Sequence, residues 1–146
     1  IVGNHASKDL ANEKRSLDVL IESLNLGGYV LFVGSVPLSE LVRYYQDSDV
    51  YCDASVHSSW GVPFNEAQAC GTPVIAPNCV AFPEVVGDAG IFYKPLDHRE
   101  LAEKIEMLIC NEDMRSELSK KGLERVKEFS LEAFEKNVLK IARELE

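Results

Sequence analysis

Four short apolar runs, each closed by glycine, aspartate, asparagine or proline, alternate with helical stretches along the first two thirds of the chain. No other feature constrains the fold as much. The runs at 29–33, 49–52, 73–76 and 91–93 are β-branched or aromatic, and apolar along their length. That is the pattern of parallel strands buried on both faces and joined by crossover helices. Spacing predicts a helix over 7–24, with Leu10, Leu17, Leu20, Ile21 and Leu24 on one face and Gly27-Gly28 ending it. A shorter helix is expected over 38–46, with Leu41, Val42 and Tyr45 inward. A third, of about three turns, should begin near Gly61-Val62-Pro63, where a first-turn proline needs no amide hydrogen. It should end at Cys70-Gly71-Thr72-Pro73, with glycine as cap and proline as stop. The fold class is α/β: a Rossmann-like parallel sheet flanked by helices.

From Asp97 onward the character changes. Of the last 50 residues, 23 are Asp, Glu, Lys or Arg, and apolar positions recur at helical spacing (Leu101, Ile105, Leu108; Leu118, Leu123, Val126; Phe134, Val138, Ile141). An extended C-terminal segment of three amphipathic helices is expected, with most of its charge on solvated faces. Asp97 with Glu100 reads as a capping box, and Ser130 as a further N-cap.

Charge and chain ends exclude several classes of function. With 24 acidic against 15 basic residues the net charge is −9, which disfavours nucleic acid as a partner. At 146 residues and 46% hydrophobic, the chain suits one domain, 1–146, with a sizeable core. No apolar run approaches the roughly 20 residues of a transmembrane helix, and Ile1-Val2-Gly3-Asn4 lacks the features of a signal peptide. The chain reads as cytoplasmic. Cys52, Cys70, Cys79 and Cys110 form no C-x-x-C pair and read as reduced, mostly buried thiols. His5, His57 and His98 are scattered, so neither a metal nor another cofactor is expected. Ile1-Val2-Gly3 looks like the end of a buried strand, which suggests that the domain's first strands precede this sequence; the other reading is an ordered N-terminal tail.

Polar and turn-forming residues are densest at Ser58-Ser59-Trp60-Gly61-Val62-Pro63-Phe64-Asn65-Glu66, between the run at 49–52 and a helix start. Ligands of open parallel sheets bind at the carboxyl edge, where helix N-termini present free amides. There Gly61 would let a ligand approach the backbone, first-turn amides would receive a phosphate oxygen, and Glu66 would meet hydroxyl donors such as those of a ribose. The plainer reading is that Gly61 and Pro63 shape the helix start and Glu66 complements its dipole.

Several ordered blocks carry a resemblance. Leu31-Phe32-Val33-Gly34-Ser35-Val36, Ser48-Asp49-Val50-Tyr51, Trp60-Gly61-Val62-Pro63 with Glu66-Ala67, Ala69-Cys70-Gly71-Thr72-Pro73-Val74-Ile75-Ala76, Pro83-Glu84-Val85-Val86-Gly87-Asp88-Ala89-Gly90 and Phe129-Ser130 closely resemble the donor-binding domain of glycosyltransferase family 4, the group 1 glycosyltransferases. The resemblance covers nearly the whole chain. It implies a retaining, metal-independent hexosyltransferase of the GT-B fold, in which two Rossmann-like domains close on a nucleotide-sugar. This sequence resembles the C-terminal, donor-binding one, so the N-terminal acceptor domain would be its partner and the fragment alone inactive. Peripheral membrane contact would come through the parent protein. By resemblance, Glu66 holds the ribose hydroxyls, the backbone around Trp60, Gly61 and Val62 faces sugar and diphosphate, Val36 meets the nucleobase, and the loop of Glu84 lies near the donor. Glu84 can equally be a solvent-facing residue of a short helical turn.

One position departs from the family pattern. The signature is a pair of glutamates, and Ser58 stands in place of the first, which usually contacts the donor sugar. A serine is shorter, uncharged, and donates as well as accepts. No residue here is a convincing covalent nucleophile. Between Arg43 and Lys94 there is neither Lys nor Arg, so cations for a diphosphate must come from elsewhere. The family supplies an arginine and a lysine from a segment preceding this sequence. Two other functions compete. Ser58 would fit a non-catalytic nucleotide-binding or scaffold domain. Asp53 after an apolar strand, with Tyr93-Lys94-Pro95, faintly resembles a receiver-like signalling module, but the beginning lacks acidic residues and too much helix follows Lys94.

Overall fold

A computed structural model of the chain describes residues 8–56 and 60–144. Two compact units are present, Ile1–Arg43 and Tyr44–Glu146, with the boundary inside a helix. In the first, α1 (Lys8–Ser23) follows the predicted span to within a residue at each end. It stops ahead of the glycine pair. Asn25 takes φ 56° and the Leu26 amide donates to the Ile21 carbonyl at 2.9 Å; asparagine tolerates this left-handed turn and fills the role expected of Gly27-Gly28. Among the described residues the run at 29–33 belongs to no strand: a bridge residue, Gly34, follows it, and Tyr29 and Leu31 are 86% and 67% exposed. Burial on both faces needs a layer on either side. Among its described residues this unit supplies one long helix and the first part of α2, Leu38–Gln46.

The second unit holds a parallel sheet in the order β1 (Tyr51–Cys52), β2 (Val74–Pro77), β3 (Gly90–Tyr93). Tyr51 pairs with Val74, and Val74 with Gly90. Continuous apolarity suggested central strands throughout. Among the described residues only β2 is central, and all four of its residues are buried. Helix α3 (Val62–Ala69) connects β1 to β2 and is shorter than three turns, because Gly71, at φ 79°, turns the chain at once toward β2. The short helical turn that the sequence offered as one reading for Glu84 is present as the five-residue helix α4 (Phe82–Val86), and with a 3-10 turn over Gly87–Ala89 it leads into β3.

The expected helical tail is present as α5 (His98–Ile109), α6 (Glu112–Arg125) and α7 (Leu131–Glu144). Asp97 accepts from the Glu100 amide at 3.1 Å and Ser130 from the Ala133 amide at 3.2 Å, so both expected caps form. Asn111, unremarked in the sequence, caps α6 through the Met114 amide at 3.0 Å. Ile75 and Tyr93 pack with Leu108 and Leu118 into one core, which Ile105 and Met114 extend. Elsewhere in this unit Phe64 and Phe82 are fully buried. The cysteines are free, as expected, but none is buried: Cys52 and Cys110 are exposed, Cys70 and Cys79 intermediate. Cys52 ends a two-residue strand and Cys110 follows the last turn of α5, places where an element leaves the core. Among the described residues, no helix is long and apolar enough to cross a membrane.

Candidate functional site

The start of α3 is built on glycine and two phenylalanines. Gly61 is buried with φ +74°, and a Cβ there would lie 2.9 Å from Phe64 Cδ2 and 3.0 Å from Phe82 Cδ1. Glycine is therefore demanded by a left-handed backbone pressed on two rings, in line with the plainer reading that Gly61 shapes the helix start. The supply of first-turn amides is also smaller than expected. Pro63 has none, and the Phe64 amide donates to the Gly61 carbonyl at 2.9 Å. Val62, at the first helical position and exposed, has an amide with no acceptor inside the helix.

One turn further along α3, Glu66 is half-buried. Its Oε2 accepts from the Tyr45 hydroxyl at 3.0 Å. Tyr45 is itself fixed: it is buried, its carbonyl accepts from the Thr72 hydroxyl at 2.7 Å, and its ring meets Tyr51 edge-on at 5.5 Å. The edge-on series continues from Tyr51 to Phe64 at 5.6 Å and from Phe64 to Phe82 at 5.0 Å. Burial, and then the hydrogen bond to Glu66, push the Tyr45 phenol well above its usual range, so it stays a neutral donor. Burial and then the Asp53 carboxylate do the same to Tyr51. Asp53 lies just beyond β1; its carboxylate accepts from the Ser55 amide at 2.7 Å and its carbonyl from the Tyr93 hydroxyl at 3.2 Å.

The other named residues are distributed unevenly. Trp60 is exposed, at 44%, and meets Phe129 edge-on at 6.0 Å. Glu84 is exposed on α4, and its carbonyl accepts from Arg125. Val36, half-buried, belongs to the first unit. Ser58, with His57 and Ser59, lies outside the described residues. Sequence reasoning missed Tyr45 as a partner of Glu66 and missed Arg125 altogether. Arg125 is the cation that the stretch from 44 to 93 lacks, yet it is already engaged: Nε donates to the Val85 carbonyl at 3.2 Å and Nη1 to Glu128 at 2.7 Å.

The blocks around Glu66 and Glu84 are matched as a whole. Residues 1–125 fit the sequence model of the family described as Glycosyl transferases group 1. The chain belongs to this family. Among similar proteins, the O-antigen chain mannosyltransferase B of Escherichia coli is 32% identical over 113 residues, covering 77% of this chain and 30% of its own length. A D-inositol 3-phosphate glycosyltransferase of Corynebacterium jeikeium is 31% identical over 136 residues, covering 92% of this chain and 32% of its own length. This group 1 glycosyltransferase chain therefore spans about a third of the length of the curated relatives it matches. Sucrose-phosphate synthase from Thermosynechococcus elongatus superposes with a TM-score of 0.84 at 30% identity, covering 99% of this chain and 37% of that one. The α/β class read from the sequence, a parallel sheet flanked by helices, is thus the fold of the family.

Proposed function

We propose that this chain is the donor-binding part of a retaining, metal-independent transferase of family 4, which moves a sugar from a nucleotide-diphosphate sugar to an acceptor glycan, lipid or small molecule. The observation that carries the reading is Glu66, in the block characteristic of the family, with one carboxylate oxygen held by Tyr45 and the other left for ribose hydroxyls. The Val62 amide lies at the positive end of α3 and suits a diphosphate oxygen, while Trp60 and Glu84 border the sugar. As the sugar leaves, charge grows on the diphosphate, and preorganised amides together with cations supply the stabilisation. With Arg125 engaged elsewhere, those cations belong to the further length that the relatives possess, which also carries the acceptor site. Ser58 in place of a glutamate retunes the contact to the donor sugar.

Calorimetric titration of the chain with UDP and with GDP tests the nucleotide site. Glu66→Ala is expected to weaken binding of the better nucleotide at least about tenfold, the loss of a charged hydrogen bond. Equal affinity in both proteins refutes the ribose role. For the longer protein, hydrolysis of a nucleotide-sugar panel identifies the donor. Activity is expected to survive EDTA, and its complete loss on chelation refutes metal independence.

A further inference from the structure

The five-residue helix α4 ends with carbonyls that its own short ladder leaves open. Arg125, some forty residues later at the end of α6, closes them: Nη2 donates to the Glu84 carbonyl and Nε to that of Val85. The guanidinium lies against Gly87, where a Cβ would come within 3.2 Å of Nε. Its third donor edge is held by Glu128 at 2.7 Å. Its carbon sits over the Phe129 ring at 5.3 Å, and that same ring carries Trp60 at 6.0 Å. One side chain thus ties two segments that are far apart in sequence, the turn bearing Glu84 and the loop bearing Trp60. Three donors in one rigid plane together with a stackable face are properties of guanidinium and not of an ammonium group.

We propose that Arg125 is a positioning residue: through the α4 carbonyls and Phe129 it sets Glu84 and Trp60 at a fixed spacing, so that both edges of the donor site move as one. The inference rests on the reading that Trp60 and Glu84 border the donor. It does not make Arg125 a ligand of the diphosphate, because each of its three nitrogens already donates to this chain, to Val85, Glu84 and Glu128.

The chain has a single tryptophan, so Trp60 fluorescence reports the loop directly. Acrylamide quenching is measured at denaturant concentrations below any unfolding, for the wild type, Arg125→Gln, Arg125→Lys and Phe129→Leu, with Glu124→Gln as an exposed control. UDP and GDP are titrated against each. The expected result is a rise of about twofold in the Trp60 quenching constant in all three variants and none in the control, with nucleotide binding about fivefold weaker. Mere destabilisation would shift the unfolding midpoint and leave folded-state quenching unchanged. Should Arg125→Gln fail to fold, Arg125→Lys and Phe129→Leu carry the test. Wild-type quenching in a folded Arg125→Lys overturns the inference. If quenching rises in the variants but neither nucleotide binds even the wild type, the link from Arg125 to Trp60 stands and the donor-site reading falls.

Discussion

Gly61→Ala separates two reasons for a glycine ahead of α3. If a ligand's close approach were the only demand, alanine would fold as well as glycine and lose only affinity. The structure argues otherwise. A non-glycine residue in the left-handed region costs about 1 kcal/mol or more. The new Cβ would also lie 2.9 Å from Phe64 and 3.0 Å from Phe82, both fully buried, and overpacking of this kind costs about 1–3 kcal/mol. The sum, about 2–4 kcal/mol, is a large share of the roughly 5–15 kcal/mol that a domain has. Urea unfolding followed by Trp60 emission reads the change in the unit concerned, and with a slope of about 2 kcal/mol per molar the midpoint should fall by about 1–2 M. Gly27→Ala is the control, since a Cβ there meets nothing within 4 Å; it should stay within about 0.5 kcal/mol of the wild type. A Gly61→Ala midpoint equal to that of the control would refute the packing argument.

The tyrosines predict an alkaline limit. The Tyr45 and Tyr51 phenols are raised in the folded chain above their ordinary value of 10.0, so the unfolded chain loses these protons first. Stability is then constant with respect to these two groups below about pH 10 and declines above it; urea midpoints from pH 9 to 11 should show the fall, with a smaller slope in Tyr45→Phe, and equal slopes would contradict the assignment. Removing the Tyr45 hydroxyl also frees Glu66 Oε2. Because Glu66 is only half-buried, the loss should be about 1 kcal/mol, or about fivefold in UDP or GDP affinity by calorimetry, and unchanged affinity would show that Tyr45 does not orient the carboxylate.

Local signals in the sequence were reliable where the physics is local. Asp97 and Ser130 cap as their spacing implied, and α2 begins and ends where its flanking residues said, with Pro37 accepting from the Glu40 and Leu41 amides at 3.0 Å. The run at 29–33 belongs to no strand among the described residues, where Tyr29 and Leu31 stay exposed, because apolar continuity records a demand for burial and does not itself supply the layer that meets it. Helix α4 stood in the sequence only as one of two readings for the segment of Glu84, because its five residues are too few to show a period. At the site, the block containing Glu66 was legible. Tyr45, 21 residues away, was not, because the two meet only through the tertiary packing of the end of α2 on α3, which no local pattern records. Gly61 was legible as a residue that shapes the helix start, but not the packing behind it: the rings that press on it include Phe82, which no local pattern connects to it.

The dependence of Trp60 on Phe129 and Arg125 matters for engineering. Transplanting only the loop ahead of α3 from a homologue would set the new indole on a floor shaped for another. A chimera that keeps the indole seated has to exchange the end of α6 and residues 126–129 together with that loop, although nearly half the chain separates them.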